Sequence, residues 1–183
     1  MFNNSNNALV IYSLDALSNA LFTLMQKYRL DDISISQICE EANISRNTFY
    51  RNCDSKMDLV DYMIHKKITI LSEKTNFDET NASLLYTNFF EFWIQEKFFL
   101  TILESQKIFS RFNEQYSNYF FQNATYAFLD EFLENHKNID KLKLYHTSFL
   151  IGGLCNVLEY WTKEDFQTPI RELVITLSTL SPK

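Results

Sequence analysis

The chain has 183 residues, enough for one ordinary domain or two small ones with a buried core. Its formal charge is −6, from 17 basic against 23 acidic side chains, which argues against a generally basic nucleic-acid-binding surface. Only two glycines and two prolines are present, which excludes a glycine-rich phosphate loop and disfavours a sheet joined by tight turns. This composition predicts an all-α fold.

The cysteines and the N-terminal segment indicate the cellular compartment. Cys39, Cys53 and Cys155 are far apart and include no CxxC pair, which predicts reduced, buried thiols of a cytoplasmic protein. The N-terminal segment has no basic start and carries Asp15 within its apolar stretch. We therefore expect neither a signal peptide nor a membrane span.

The first predicted helix covers residues 8–27, where apolar side chains recur at helical spacing. That stripe consists of Val10, Leu14, Leu17, Leu21 and Met25. Three further helix starts follow within residues 34–56. Ser34 precedes Gln37 by three residues, which is the spacing of a reciprocal capping box. Ser55 and Asp58 repeat this spacing, and Ser45 is a third candidate for an N-cap.

A turn between the second and third helices is predicted at Asn43, because asparagine adopts the left-handed conformation more readily than most residues. Helix, short turn and helix give the outline of a helix-turn-helix, whose second helix can lie in the major groove of DNA. The local charge favours this interpretation. Residues 45–56 contain Arg46, Arg51 and Lys56 against Asp54 alone, a net charge of +2.

This segment resembles the DNA-binding signature of the TetR/AcrR transcriptional regulators. The positions that carry the resemblance are Ile33, Ser34, Ile38, Cys39, Ala42, Asn43, Ile44, Ser45, Thr48, Phe49, Tyr50, Ser55 and Lys56. Asn43 replaces the usual turn glycine, and Cys53 replaces a usual phenylalanine. We therefore expect Cys53 to be a small buried residue in the same core as Phe49. The resemblance implies a three-helix DNA-binding head, here residues 1–55, and a helical body for ligand binding and dimerisation, here residues 56–183.

Candidate DNA contacts fall into two groups. Asn47, Thr48 and Arg51 are predicted to reach base edges, because asparagine suits adenine and arginine suits guanine. The resemblance implies that Ser34, Ser36, Tyr50 and Lys56 touch phosphates. The complete predicted DNA-binding set is Ser34, Ser36, Ser45, Arg46, Asn47, Thr48, Tyr50, Arg51 and Lys56. The alternative interpretation is a solvated polar helix face without a ligand.

The later part of the chain reads as a series of aromatic helices. They are predicted at residues 55–75, 84–94, 96–104, 105–123 continuing through 124–134, 140–162 and 169–180. A polar linker is expected at residues 76–83 and a polar break at 135–138. Because proline is favourable in a first helical turn, Thr168 before Pro169 is the predicted N-cap of the last helix.

Six aromatic side chains of the body are candidates for the lining of an apolar effector pocket. They are Phe89, Trp93, Phe99, Phe112, Tyr116 and Phe120. Aromatic side chains at helical spacing are also the ordinary content of a packed core. Pocket and core therefore both remain open.

The only two glycines, Gly152 and Gly153, lie in the middle of a predicted helix, where each costs up to about 1 kcal/mol relative to alanine. Such a cost suggests that another backbone approaches closely. The segments 89–92 and 149–161 resemble a TetR subgroup that includes regulators near dihydroxyacetone kinases. That resemblance implies a dimer interface built on the last two long helices, here by Phe149, Gly152, Gly153, Asn156, Tyr160, Leu173, Val174 and Leu177.

The resemblance implies a homodimeric repressor that binds a palindromic operator in double-stranded DNA and responds to an unidentified small-molecule effector. No nucleophile elbow, Walker motif or histidine pair at metal spacing is present, so we expect no enzyme, cofactor or metal. The alternative is a coactivator or protein-binding module that has lost DNA affinity. Five basic against seven acidic side chains in residues 1–60, a net charge of −2, favour that alternative.

Overall fold

The computed structural model describes residues 8–75, 81–123 and 139–180. Over these residues it contains nine α-helices, one 3-10 turn at Leu30–Asp32 and no strand, so the all-α prediction is confirmed. The helices are α1 (Ala8–Met25), α2 (Ile35–Glu41), α3 (Arg46–Asn52), α4 (Lys56–Lys74), α5 (Ala82–Gln95), α6 (Lys97–Ser105), α7 (Phe109–Asn123), α8 (Ile139–Lys163) and α9 (Ile170–Leu180). The predicted helix at 124–134, the break at 135–138 and most of the predicted linker lie outside the described residues.

The chain divides into two compact units, residues 1–66 and residues 67–183, which we call the head and the body. The division falls within α4. The head therefore includes the first part of a helix that the sequence analysis assigned wholly to the body.

In the head, α1 packs against both α2 and α3. The side chains that lose all contact with solvent there come from all four helices: Leu17, Leu21, Ile38, Phe49, Leu59, Val60 and Ile64. Phe49 is thus a core residue, as predicted. Cys53, which immediately follows α3, is also buried, so the predicted burial of Cys53 is confirmed.

Helix α1 is long and apolar enough to cross a membrane by length and composition, with a mean hydropathy of 1.5, which the sequence analysis did not expect. Leu14, Leu17 and Leu21 of this helix are buried within the head, whereas Leu9, Ile11 and Tyr12 near its start are exposed. Its single acidic residue, Asp15, accepts hydrogen bonds from the side chains of Tyr62 and Lys66. The core of the head therefore accounts for the buried side of α1.

In the body, α7 and α6 pack against α8, and α9 packs against α5. Among the described residues of the body, the side chains with no exposed surface are Ile68, Phe90, Trp93, Leu100, Leu103, Phe112, Cys155 and Leu158. Helix α6 ends with Ser105, and α7 begins only at Phe109. Lys107 between them has a φ of 58°, a left-handed conformation that interrupts the helix, so the predicted helix start at Ser105 is wrong.

Helix α9 begins differently from the prediction. The hydroxyl of Thr168 donates a 2.9 Å hydrogen bond to the carboxylate of Glu164 and does not cap the helix. The carbonyl of Pro169 instead accepts from the amide of Glu172 at 2.9 Å, and the helix starts at Ile170. The carbonyl of Thr168 accepts from the indole nitrogen of Trp161 at 2.8 Å, which fixes the turn between α8 and α9.

Candidate nucleic-acid interface

Helices α2 and α3 are joined by a turn that the sequence specifies locally. The hydroxyl of Ser34 accepts from the amide of Gln37 at 3.2 Å, and the side-chain oxygen of Gln37 accepts from the amide of Ser34 at 2.8 Å. This is the predicted capping box. Ser45 caps α3 by accepting from the amide of Thr48 at 3.1 Å. Asn43 has a φ of 52°, the left-handed conformation predicted for the turn.

The start of α4 is only partly as predicted. The carboxylate of Asp58 accepts from the amides of Asp54 and Ser55 at 2.7 and 3.0 Å. The hydroxyl of Ser55 donates to the same carboxylate instead of accepting from a helical amide. The acid half of the predicted capping box is present, and the serine half is not.

Helix α3 has one buried and one exposed side. At 100° per residue, Arg46, Asn47, Tyr50 and Arg51 span an arc of about 140°, and Phe49 lies on the opposite side. All four are exposed, Tyr50 by 51%, while Phe49 is fully buried with its ring edge-on to Tyr50 at 5.3 Å. The short helix therefore presents two guanidinium groups, one amide and one phenol on a single face.

The predicted contact residues differ in what their polar groups already do. Ser34, Ser45 and Thr48 use their hydroxyls in the capping bonds of α2 and α3. Within the described residues, five members of the set have no hydrogen bond or ion pair through their side chains: Ser36, Arg46, Asn47, Tyr50 and Arg51. These five are available to an external ligand.

Lys56 departs from the predicted phosphate contact. Its ammonium donates to the backbone carbonyl oxygens of Leu30, Asp31 and Ile33 at 2.5, 3.0 and 2.8 Å. An ammonium has three donors and no acceptor, so all three donors of Lys56 are used within the head. The sequence could not indicate this, because the acceptors are backbone groups 23 to 26 residues away.

Two buried thiols lie beneath this surface. Burial raises the pKa of Cys39, while the nearby Arg46 guanidinium acts in the opposite direction. Burial, with smaller contributions from the carboxylates of Asp58 and Asp54, raises the pKa of Cys53 to about 12. Both cysteines are therefore neutral thiols near pH 7 and act as small core residues.

The aromatic side chains proposed for an effector pocket are packed together. All six are buried, and five of them form a continuous series of ring contacts in the body. The ring centroids are 5.8 Å apart for Phe89 and Tyr116, 5.5 Å for Tyr116 and Phe112, and 4.8 Å for Phe112 and Trp93. Phe120 also contacts Tyr116, with a centroid distance of 4.8 Å. These contacts favour a packed core over an open pocket among these rings.

A groove on the surface of the body was not predicted. It lies between α5 and α9, with a volume of about 870 Å³. Its lining includes Thr87 and Glu91 on α5 and Arg171 and Ile175 on α9. The hydroxyls of Ser83 and Ser178, which also line it, hydrogen-bond to each other at 2.8 Å.

One face of α8 carries exposed aromatic side chains. Phe149 is 76% exposed and Tyr160 is 68% exposed, and Tyr145 lies one turn before Phe149. Between them, a Cβ atom added to Gly152 or Gly153 would meet no atom within 4 Å. The packing of the single chain therefore does not explain why these positions are glycine.

The predicted interface residues on α9 are less accessible than expected. Val174 is buried, because α9 packs against α5 of the same chain. Leu173 and Leu177 are half-buried, and the large apolar residue exposed on α9 is Ile175. Val174 thus packs within the chain, and its contact with a second copy stays a prediction.

Within the described part of the chain, no group of three or more His, Cys, Asp or Glu side chains is placed to hold a metal ion. Neither a protein-family model nor a curated protein matches the chain. The functional proposal therefore depends on the exposed face of α3 and on the face of α8.

Proposed function

We propose that this protein is a homodimeric, DNA-binding transcription regulator of the TetR type. The observation that carries the proposal is the exposed face of α3, where Arg46, Asn47, Tyr50 and Arg51 have no side-chain hydrogen bond or ion pair to another described residue. Capped helices on either side of a left-handed Asn43 support a helix-turn-helix, with α3 as the recognition helix.

The chemistry of this face suits duplex DNA. Asn47 can bind the N6 and N7 edge of adenine, and Arg51 can bind the O6 and N7 edge of guanine. They are four residues apart and so lie about one turn apart along α3. Arg46, Tyr50 and Ser36 are suited to phosphate oxygens, which position a protein without reading sequence.

A second copy of the chain is part of the proposal. A helix of seven residues reaches only a few base pairs, whereas two such helices about 34 Å apart can read a palindrome. The exposed aromatic face of α8 supports the homodimer, because large apolar side chains flank two glycines at which an added Cβ would meet no atom of the described residues within 4 Å. A partner helix could approach the backbone closely at Gly152 and Gly153.

The proposed effector site lies in the body. Since the aromatic cluster is packed, we place a small-molecule effector in the groove between α5 and α9. Its volume lies in the range of ordinary ligand pockets, about 300–1,000 Å³. Glu91 and Arg171 supply one group of each charge to orient a ligand.

A coactivator or protein-binding module is the second candidate. The observation that favours it is the scarcity of free cations: Lys56 is used internally, which leaves Arg46 and Arg51 on α3. Glu40 and Glu41 are exposed at the end of α2 and oppose a polyanion. A weak basic patch predicts modest and strongly salt-sensitive DNA binding.

A gel-shift experiment decides between the two candidates. The full chain is titrated into genomic fragments that flank its gene at about 50 mM salt, where phosphate contacts are strongest. The regulator is expected to shift one fragment selectively, and the double variant Asn47→Ala, Arg51→Ala is expected to lose that selectivity. If no duplex binds at this salt concentration, DNA regulation is wrong and the protein-binding alternative is favoured.

A further inference from the structure

The peptide group between Ile33 and Ser34 is held from both sides. Its carbonyl oxygen accepts from the Lys56 ammonium at 2.8 Å, and its amide donates to the side-chain oxygen of Gln37 at 2.8 Å. Hydrogen bonds on the two ends of one peptide polarise it and strengthen each other. This peptide leads directly into Ser34, the N-cap of α2, so its orientation helps to set the direction in which the helix starts.

The other two acceptors of Lys56 belong to the same connection between α1 and α2. Leu30 and Asp31 lie in the 3-10 turn, and their carbonyl oxygens converge on the ammonium together with that of Ile33. Three carbonyl dipoles that point at one place repel one another unless a cation lies between them. Lys56, the first residue of α4, supplies that cation from a distant part of the sequence.

We propose that Lys56 is a positioning residue that fixes the start of α2 by binding these three carbonyl groups. Its charge acts inside the head and does not contact a phosphate. The consequence for DNA binding rests on the proposed function, because the segment that it fixes leads into Ser34 and the exposed Ser36. The orientation of the peptide itself is a property of the free protein.

Two substitutions of Lys56 separate this role from a phosphate contact. Lys56→Met keeps the apolar stem and removes the charge. Lys56→Arg keeps the charge, but a planar guanidinium cannot direct its donors at three oxygens grouped around one point. A phosphate contact would tolerate arginine, whereas the carbonyl site should not. Lys27→Met is the matched control, because Lys27 is an exposed lysine of the same head.

The first measurement uses the protein without DNA. Exchange of the Ser34 and Gln37 amides, followed by NMR, should be about tenfold faster or more in Lys56→Met and in Lys56→Arg. It should be unchanged in Lys27→Met. In the wild type, the ammonium protons of Lys56 should give a signal protected from exchange with water. If that signal is missing, or if amide exchange is unchanged in both Lys56 variants, the inference is wrong. The wild-type signal gives a result even if a variant does not fold.

The second measurement follows DNA affinity against salt concentration. If Lys56 only positions α2, Lys56→Met weakens binding but leaves the slope of log K against log salt unchanged. If it contacts a phosphate, the slope falls by about 0.9 for each protomer and Lys56→Arg binds like the wild type, which overturns the inference. A wild type that binds no duplex contradicts the proposed function, and amide exchange then decides the role of Lys56 alone.

Discussion

The hydroxyl of Tyr62 donates a 2.9 Å hydrogen bond to Oδ1 of Asp15, the only acidic residue of α1. Lys66, one turn further along α4, binds the same oxygen at 2.6 Å. The two contacts differ in environment, because the Lys66 side chain is 53% exposed, whereas Tyr62 is half-buried. The tyrosine hydrogen bond should therefore contribute more to the stability of the head than the ion pair.

Substitution of each partner tests this order. Tyr62→Phe keeps the ring and removes one hydrogen bond to a carboxylate, so we expect the free energy of unfolding to fall by about 1–2 kcal/mol. Lys66→Met removes an exposed ion pair and should cost at most about 0.5 kcal/mol. Urea unfolding followed by circular dichroism measures both. An equal or larger loss for Lys66→Met would contradict the assignment.

The same hydrogen bond predicts a dependence on pH. Burial first, and then the hydrogen bond to Asp15, raises the pKa of Tyr62 to about 12 from an ordinary value of 10. Because the folded state favours the protonated phenol, its contribution is fully present below pH 10 and is lost as pH rises towards 12. The stability difference between wild type and Tyr62→Phe should shrink over this range. If the stability difference between wild type and Tyr62→Phe stays constant from pH 9 to pH 12, the proposed pH dependence is wrong.

Asn43 is predicted to tolerate glycine better than alanine. Its φ of 52° is unfavourable for a residue with a Cβ, and asparagine only partly escapes that penalty. Asn43→Ala should lower the free energy of unfolding by about 1 kcal/mol, and Asn43→Gly should change it by less than about 0.5 kcal/mol. Urea midpoints of the two variants give the comparison, and a more stable alanine variant would contradict the proposed strain.

The exposed residues of α3 should include base-reading residues and phosphate-binding residues, which substitutions can distinguish. Asn47→Ala and Arg51→Ala should each lower discrimination against one wrong base pair by about 1–3 kcal/mol. Arg46→Ala should weaken binding to all duplexes alike and lower the salt slope by about 0.9 per protomer. Lys97→Ala, at an exposed position of the body, is the control for loss of a positive charge. Equal effects of all three α3 variants on every duplex would rule out base recognition.

Gly153→Glu should produce monomers, because it places two like charges where two α8 helices are proposed to meet. A Cβ at this position would meet no atom of the described residues within 4 Å, so the fold itself should tolerate the substitution. Gln95→Glu adds the same charge at an exposed position of α5 and serves as the control. Sedimentation and gel shift measure the result. A dimeric Gly153→Glu that binds DNA normally would move the interface elsewhere.

Gly153→Ala is a second test of the proposed contact between two α8 helices. In a solvent-exposed helix, alanine should stabilise the chain by up to about 1 kcal/mol relative to glycine. In a close helix–helix contact, the added methyl group should instead weaken association. We expect weaker association with higher stability of the monomer, measured by sedimentation and by urea unfolding at low protein concentration. Unchanged association would show that no backbone approaches Gly153 closely.

What could be predicted from the sequence were the features set by neighbouring residues. The Ser34 capping box, the Ser45 cap and the left-handed Asn43 each depend on contacts within a few positions. The role of Lys56 could not be predicted, because its partners are backbone carbonyls brought near only by folding. Thr168 was wrongly predicted as a cap for a different reason, because the helix begins at Ile170 and the Thr168 hydroxyl donates to the nearby Glu164.

The aromatic side chains of the body show a different limit of sequence reasoning. Helical spacing predicts that Phe89 and Trp93 share a side of α5 and that Phe112 and Tyr116 share a side of α7. Spacing does not say whether the rings of the two helices meet or enclose a space. The ring centroids of Trp93 and Phe112 are 4.8 Å apart, so these two rings are in contact. Likewise, spacing placed Val174 on an apolar stripe without indicating that α5 covers it.

The positions of the two tryptophans make intrinsic fluorescence a selective reporter. Trp93 and Trp161 are the only indoles in the chain, both are buried, and both belong to the body. Their emission should therefore follow the unfolding of the body, while circular dichroism follows all helices. If the head melts separately, substitutions such as Asn43→Ala will move the dichroism curve and leave the fluorescence curve in place.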